Sequence, residues 1–552
     1  MFKSNKKNNF LLQGAILAIA SIISRVIGLI YKVKVIGIIG DLGGSYYACS
    51  FEIYSIALII SSYSLPTAVS KLISVQYTKD NNNKIMQLLK VSLILALVSG
   101  AFFSIVLYAG ADFFTNLMST PYSRFSLRVL SPALVIVALL GVIRGFFQGI
   151  GTTVPSAFSQ VLEQLVNAVV SIWASYVLFD IGKAQGAIVN DTDNLAAAYG
   201  AAGSTLGTNI GSVAALIFML FILGYYLRKN MNKDCLNKME CDSTKRVVSD
   251  IVKTIFPILI VTTVYNVSGI IDQGIYKWIA TDQGYSVSEI HIPWGIYSCK
   301  YKLLINLPIS IASAFAAASV ASVAASYTRH NMQLVKDKIS NSIRTISVIS
   351  FPCMIGLMVL AKPVLVLLFA DAPQSLEMTE RMLILGGAAI VFFSYSTITN
   401  ALLQGIDRFF LPVRNSLIAL AFHIVLLVEM MRRFKLGIYA VVYANIILAL
   451  LISLLNTLSI CKNCNYHQEL SRSFIKPFVA AGIMGIIVWV TYKACYFFND
   501  SNMASLAISI MIGGISYFLI LVKIQGVTEE EIVSLPKGLA IQRILKKLRI
   551  MN

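Results

Sequence analysis

Positively charged side chains interrupt several apolar stretches of this chain. Arg25 and Lys32 lie in the first apolar stretch, seven residues apart, which places them two turns apart on one face of a helix. Arg144, Lys300 and Lys302 lie in or beside later apolar stretches. Since guanidinium and ammonium groups bind phosphate, these five residues are candidates for binding a phosphate-bearing substrate.

Acidic residues inside the apolar stretches are fewer. Glu52, Glu163 and Asp272 are candidates for coupling transport to an ion or for gating, because ionisable groups inside a membrane are costly and tend to be functional. The structural alternative is equally open, namely that Glu163 and Asp272 pair with a buried arginine and hold helices together. An excess of cations over carboxylates favours an anionic substrate, whereas an exporter of cationic drugs is expected to show the opposite sign.

Two cysteines have the spacing of metal ligands. Cys461 and Cys464 are separated by two residues, and Cys235 and Cys241 lie in another predicted cytoplasmic loop. A zinc ion joining the two loops is one interpretation, and unpaired thiols in a reducing compartment are the other.

The sequence has no hydrolase nucleophile motif, no phosphate-binding Walker loop and no His-Glu-x-x-His motif. We therefore expect neither an enzyme nor a bound cofactor. The driving force for transport is then a coupling monovalent cation, the membrane potential or the substrate gradient.

The amino-acid composition indicates whether the folded chain is surrounded by water or by lipid. Hydrophobic residues make up 57% of the 552 residues, charged residues make up 13%, and the mean hydropathy is +0.75. A soluble domain is typically about 45–50% apolar and about 25% charged, so much of this chain must face lipid. The formal net charge of +19 is concentrated in alternate loops, which indicates positive loops in the cytoplasm rather than nucleic-acid binding. The prediction is a multi-pass protein of the bacterial cytoplasmic membrane with both termini inside.

Apolar stretches of about 20 residues, the length that spans a bilayer, recur along the chain. We predict an all-α integral membrane protein with about 14 transmembrane helices, at residues 10–39, 46–75, 85–111, 125–150, 156–181, 195–227, 248–280, 295–327, 339–369, 381–406, 412–432, 436–460, 474–498 and 504–522.

A polar connection divides the first twelve predicted helices into two sets of six. Gln148-Gly149-Ile150 ends the fourth helix and Gln404-Gly405-Ile406 ends the tenth, which indicates two lobes related by a repeat. The predicted domains are 1–228 as the N-terminal lobe, 229–247 as a cytoplasmic linker, 248–460 as the C-terminal lobe and 461–523 as two extra helices. Residues 524–552 form a basic amphipathic tail with a capping box at Thr528 and Glu531, suited to anionic membrane lipids; a solvated tail is the alternative.

Several motifs resemble a known family. The first helix contains SRVIGLIY from Ser24, the second contains LPTAVSK from Leu65, the fourth and fifth contain RGFFQG from Arg144 and PSAFSQ from Pro155, and the tail contains LPKG from Leu535. Together they resemble the bacterial lipid-linked oligosaccharide flippases of the multidrug/oligosaccharidyl-lipid/polysaccharide exporter (MOP, MATE-like) superfamily. Within it they are similar to the Gram-positive group of lipid II flippases and stage V sporulation protein B.

This resemblance implies twelve helices in two lobes plus two extra helices, a central cationic cavity and alternating access. It also implies that Arg25 matches an essential first-helix arginine, whereas lysines at 300 and 302 stand where the Gram-negative branch has an arginine. The implied function is flipping an undecaprenyl-pyrophosphate-linked glycan, foremost lipid II, by a monomer. The alternatives are a flippase for another lipid-linked polysaccharide, a cation-coupled multidrug antiporter and a membrane scaffold without transport activity.

Overall fold

The computed structural model describes residues 6–63, 65–79, 81–230, 243–370, 375–527 and 542–543. Every regular element in these ranges is helical, so the prediction of an all-α membrane protein is confirmed. Most of the predicted linker and nearly all of the predicted tail, including its capping box, lie outside the described residues.

Contacts within the chain define two compact units, Met1–Cys299 and Lys300–Asn552. Unit 1 contains, in chain order, α1 Lys6–Leu58, a π-helix Ile59–Tyr63, α2 Leu65–Tyr77, α3 Asn82–Ala109, α4 Ala111–Leu117, a 3₁₀ turn Pro121–Ser123, α5 Arg124–Leu130, α6 Ala133–Gly149, α7 Val154–Val189, α8 Thr192–Asn230, α9 Thr244–Asp282 and α10 Val287–Ile296.

Unit 2 begins within the π-helix Tyr297–Tyr301. It continues with α11 Lys302–Tyr327, α12 Met332–Val359, α13 Ala361–Leu368, α14 Leu376–Gly386, α15 Ala388–Gly405, α16 Phe410–Arg432, α17 Ile438–Cys464, a π-helix Ser471–Ile475, α18 Lys476–Asn499 and α19 Asn502–Lys523.

The boundary between the units falls after Cys299, one helix later than the lobe boundary predicted between 228 and 248. Within unit 1, α9 packs against α1, α2 and α3, and α10 packs against α1. These contacts place the seventh predicted helix with the first six. The division into lobes at 228 and 248 stays a prediction.

The first two predicted helices form one element with a break. α1 runs from Lys6 to Leu58, but Gly40 has φ 69° and ψ 179°, which is not helical. The combination of a positive φ with ψ near 180° is essentially restricted to glycine, so the break falls at this residue. It lies between the predicted end of the first helix at 39 and the predicted start of the second at 46.

The turns that follow α6 and α15 are alike. α6 ends at Gly149 and α15 at Gly405, and two residues after each glycine φ is positive, 85° at Gly151 and 62° at Asp407. The backbone bonds are Ile150 N to Phe146 O, Gly151 N to Gln148 O and Thr152 N to Phe147 O after α6, and Ile406 N to Leu402 O, Asp407 N to Gln404 O and Arg408 N to Leu403 O after α15. The predicted correspondence of the two turns therefore extends to each hydrogen bond.

The starts of α3 and α12 correspond in the same way. Both helices have 28 residues, and each is capped by an asparagine side chain: Asn81 accepts from the amide of Lys84 and Asn331 from that of Leu334. Each is followed after a single residue by a short helix, α4 or α13. These pairs extend the repeat from one turn to a succession of elements.

Ten helices in the described part of the chain are long and apolar enough to cross a membrane, or eleven if α14 and α15, bent by 51° at Gly387, count as one span. The number 14 stays a prediction.

Candidate substrate and gating site

The two cations of the first helix lie in different surroundings. The side chain of Arg25 is exposed, whereas that of Lys32 is partly buried. The Nζ atom of Lys32 lies 5.8 Å from the ring centroid of Tyr47 and 5.6 Å from that of Phe51, within cation–π range. Gly28, between the two cations, faces Gln164 of α7. Arg25, Gly28 and Lys32 form one stripe along α1. This stripe therefore carries an exposed guanidinium and an ammonium that lies against two aromatic rings.

Arg144 on α6 is paired with an acidic residue of α7. Its Nη2 donates to Glu163 Oε2 at 2.8 Å and its Nε donates to Ser159 Oγ at 2.8 Å. The second carboxylate oxygen of Glu163 accepts from Ser212 Oγ of α8 at 3.1 Å. The two charged side chains are 15% and 17% exposed. Thus Arg144 and Glu163, proposed for substrate binding and for ion coupling, lie together and link three helices.

The remaining two predicted cations belong to unit 2. Lys300 is fully buried, donates a hydrogen bond to Ser375 Oγ and lies 5.5 Å from the ring centroid of Phe369. Lys302, at the start of α11, is partly buried. In this conformation Lys300 is engaged inside its own unit, and its role in substrate binding stays a prediction.

A buried polar chain connects α1, α9 and the turn before α5. With the amide of Gln273 oriented toward Glu52, its nitrogen donates to Glu52 Oε2 at 2.6 Å and its oxygen accepts from Lys277 Nζ at 2.9 Å. Lys277 Nζ also donates to Thr120 Oγ1 at 2.6 Å. Gln273 is 1% exposed, and Lys277 and Thr120 are 0% exposed. Glu52 is thereby linked to an ammonium through a neutral amide.

Asp272 adjoins this chain on α9 and is 1% exposed. Full burial of a carboxylate requires compensation by neighbouring groups, and the pairing or gating role of Asp272 stays a prediction. The structure brings Glu52 to the same end of α9, whereas Glu163 belongs to the separate Arg144 pair. The predicted acidic set is therefore divided between two sites.

Lys277 was missed in the sequence. It lies close to the end of the predicted seventh helix, where a lysine is easily attributed to the membrane surface. The available signal was its spacing of four residues from Gln273, which places both on one face of α9.

A second polar network also went unnoticed. Tyr46 Oη donates to Asn194 Oδ1 at 2.6 Å, Asn194 Nδ2 donates to Asp191 Oδ1 at 2.8 Å, and the Tyr122 hydroxyl donates to the other oxygen of Asp191. It ties the turn before α5 to α1 and to the start of α8.

Unit 2 contains a buried network of amides, which the guanidinium of Arg414 joins by donating to Asn415 Oδ1 at 3.1 and 3.3 Å. Asn456 Nδ2 donates to Asn400 Oδ1 at 2.7 Å and to Thr399 Oγ1 at 3.2 Å, and Asn456 Oδ1 accepts from Asn415 Nδ2 at 2.9 Å. Asn456 is 0% and Asn415 is 1% exposed. These groups satisfy one another, as buried polar groups must.

The zinc interpretation gains no support from the described residues. Cys461 is partly buried and Cys464 is buried, and no group of three or more His, Cys, Asp or Glu in the described ranges is placed to hold a metal ion. Cys235 and Cys241 lie outside those ranges, so the joint site stays untested.

A family model described as "Polysaccharide biosynthesis protein" matches residues 11–320, more than half of the chain. The chain belongs to this polysaccharide biosynthesis family. A second model with the same description matches residues 285–376, so this second match runs from α10 into unit 2.

Curated relatives of this chain match nearly its whole length. The lipid II flippase MurJ of Bacillus subtilis (strain 168) is 23% identical over 525 residues, 92% of this chain and 94% of the relative. Stage V sporulation protein B of the same organism is 22% identical over 542 residues, 96% and 98% of the two chains. The predicted resemblance is confirmed.

Solved structures agree on the fold. The inward closed conformation of the lipid II flippase MurJ has a TM-score of 0.64 at 16% identity, covering 91% of this chain and 97% of the other. The inward-facing conformation of a multidrug resistance MATE family transporter of the MOP superfamily has a TM-score of 0.60 at 16% identity, covering 84% and 98%. The chain has the MurJ/MATE-like fold of a multi-pass membrane protein. The relative and the solved structures whose names state an activity are flippases or transporters, which confirms the expectation that the chain is not an enzyme.

Proposed function

We propose that this protein is a flippase that moves an undecaprenyl-pyrophosphate-linked glycan precursor, foremost lipid II, from the inner to the outer leaflet by alternating access. The observation that carries the proposal is the exposed Arg25 on the same stripe of α1 as Lys32, in a chain similar over 92% of its length to a lipid II flippase. A charged side chain well inside an apolar helix is costly unless it serves a ligand or a partner.

The cations of this stripe would bind the pyrophosphate group of such a substrate. A guanidinium forms two parallel hydrogen bonds to phosphate oxygens, so Arg25 is the primary contact. Lys32 adds a point charge two turns further along α1. Arg144 is already neutralised by Glu163 at 2.8 Å and holds α6 and α7 in place beside the stripe.

The topology needed for this direction of transport has both termini in the cytoplasm. The basic residues of the loops that follow even-numbered predicted helices support it by the positive-inside rule. We further propose that the protein acts as a monomer, that the basic tail binds anionic lipids, and that a monovalent cation or the membrane potential drives the cycle.

The charges disfavour the multidrug antiporter suggested by the MATE-like fold. An antiporter of cationic drugs needs a carboxylate that is available to the drug or to a coupling ion. In unit 1, Glu163 accepts from Arg144 and Ser212, and Glu52 accepts from Gln273. A flippase for another lipid-linked polysaccharide would share the pyrophosphate contact, so only a substrate assay separates it from a lipid II flippase.

The test is rescue of bacteria depleted of their own lipid II flippase, with lipid II in the outer leaflet as the readout. Wild type, Arg25→Ala, Arg25→Lys and Lys34→Ala are compared at equal expression. Lys34 is the matched control because it is an exposed basic residue of the same helix. We expect rescue by wild type and Lys34→Ala, partial rescue by Arg25→Lys and none by Arg25→Ala.

Full rescue by Arg25→Ala would refute the role given to this residue. If well-expressed wild type fails to rescue, the substrate is another glycan lipid. Export of cationic dyes by those cells would instead establish the antiporter.

A further inference from the structure

The Glu52–Gln273–Lys277–Thr120 chain, here called the polar latch, joins segments that are distant in sequence. Glu52 belongs to the part of α1 after the Gly40 break, Thr120 belongs to the turn before α5, and the other two belong to the last three turns of α9. All four lie in unit 1. The latch therefore fixes the end of α9 to two separate elements at one end of this unit.

Helix α10 closes the same end of unit 1, where α9 ends. A Cβ atom at position 295 would overlap the carbonyl oxygen of Asp41, so α10 lies directly against α1 next to its break. Ser45 Oγ of α1 lies 3.3 Å from His291 Nδ1 of α10. Trp294 covers Lys277, with the ring centroid 5.8 Å from Nζ, and both side chains are 0% exposed. Solvent has no access to the ammonium in this conformation.

Apolar side chains would close this end of unit 1 at a lower free-energy cost than the charged groups of the latch. Burying the ammonium of Lys277 and partly burying the carboxylate of Glu52 loses hydration that their attraction seldom repays, and here a neutral amide separates them. Such a group is poor evidence of added stability, but it suits a switch. When the end opens, both charges regain hydration, which offsets the contacts that are lost and keeps the two states close in free energy.

We propose that the polar latch is the gate of this end of unit 1, with Lys277 as its central gating residue, and that opening requires Lys277 to leave Thr120 and Gln273. The proposal rests on the alternating access that the proposed function requires, but not on the identity of the substrate. Lys277 acts through the position of α9 and not through contact with the lipid.

The test measures how fast a buried thiol becomes accessible. The eight native cysteines are replaced, and Ser45→Cys supplies one reporter at the α1–α10 contact, where the serine is 0% exposed. A membrane-impermeant maleimide is added outside intact cells and, separately, to inverted vesicles. The reporter is combined with Lys277→Met, with Thr120→Val, and with Lys183→Met, which removes an exposed lysine of α7 and is the matched control.

We expect Lys277→Met to raise the labelling rate from one side roughly tenfold or more, because a small change in the free-energy difference shifts the populations strongly. Thr120→Val removes one of the two acceptors of Lys277 Nζ and should raise the labelling rate less. Lys183→Met should leave the labelling rate unchanged. The proposal would be overturned by labelling rates that are unchanged in both Lys277→Met and Thr120→Val, provided that both variants elute from size-exclusion chromatography as the parent does.

A double variant separates gating from charge balance. Glu52→Gln with Lys277→Met removes both charges, so a residue that only balanced Glu52 would be dispensable in it. We expect fast labelling to persist because the latch is still broken; a return to the parental rate would overturn the proposal. Because no substrate is involved, failure of the lipid II rescue would leave this result intact, and the reverse also holds.

Discussion

The Arg144–Glu163 pair allows a prediction that separates structural pairing from ion coupling. Replacing Glu163 by leucine removes the partner of Arg144 Nη2 at 2.8 Å and the acceptor for Ser212 at 3.1 Å. Ser159 Oγ remains as the acceptor for Arg144 Nε. The variant therefore leaves a guanidinium with one neutral partner between α6 and α7.

The magnitude follows from burial. Breaking a fully buried pair by removing one partner costs about 3–5 kcal/mol. The side chains here are 15% and 17% exposed, so we expect about 2–3 kcal/mol after allowing for this exposure. Glu163→Gln keeps an acceptor and should cost about 1–2 kcal/mol. The double variant Arg144→Met with Glu163→Leu leaves no unpaired charge and should cost under about 1 kcal/mol.

Thermal unfolding of purified protein measures these differences. A thiol-reactive dye reports unfolding because Cys49, Cys299 and Cys464 are buried in the folded protein. We expect the midpoint to fall most for Glu163→Leu and to recover in the double variant. Equal losses in the single and double variants would refute the charge-compensation argument. A stable double variant that no longer transports would show that the pair takes part in transport; full transport would show that it only joins helices.

Two further predictions concern polar side chains of the two halves of the chain. Asn456→Leu should lower the free energy of unfolding by about 2–3 kcal/mol, because Asn400 and Asn415 lose their buried partner. The same thermal assay should show a larger loss than for Asn463→Leu, since Asn463 is an exposed residue near the end of α17. Asn81→Ala and Asn331→Ala each remove a helix N-cap and should each cost about 1 kcal/mol; a cost for one alone would contradict the equivalence of α3 and α12.

The helices could be located from the sequence because the pattern that predicts them is local. Apolar runs of membrane-spanning length locate elements without knowledge of their neighbours, and the predicted gap between 39 and 46 contains the break at Gly40. A stronger repeat signal was overlooked. Tyr77-Thr78-Lys79-Asp80-Asn81 and Tyr327-Thr328-Arg329-His330-Asn331 precede α3 and α12 and end in the two asparagine caps.

The polar sites could be predicted only as candidates because their partners are distant. Arg144 and Glu163 are close in sequence and their pairing was one of the predicted alternatives. Lys277, in contrast, donates to Thr120, 157 residues away, and no local pattern connects them. Exposure is likewise a property of the packed structure: Arg25 and Lys300 look alike in sequence, yet the first is exposed and the second fully buried.

The repeat shows where the two halves of the protein differ in chemistry. Counting four residues back from Gln148 and from Gln404 leads to Arg144 and to Asn400, so these occupy equivalent positions on α6 and α15. The first half places a guanidinium there, paired with a carboxylate, and the second places an amide that accepts from Asn456. The turns and caps of the scaffold are shared, whereas this ion pair is not. Because the Arg25 and Lys32 stripe belongs to unit 1, we propose that phosphate binding depends chiefly on this unit, and we expect Asn400→Ala to spare lipid II transport under conditions in which Arg25→Ala abolishes it.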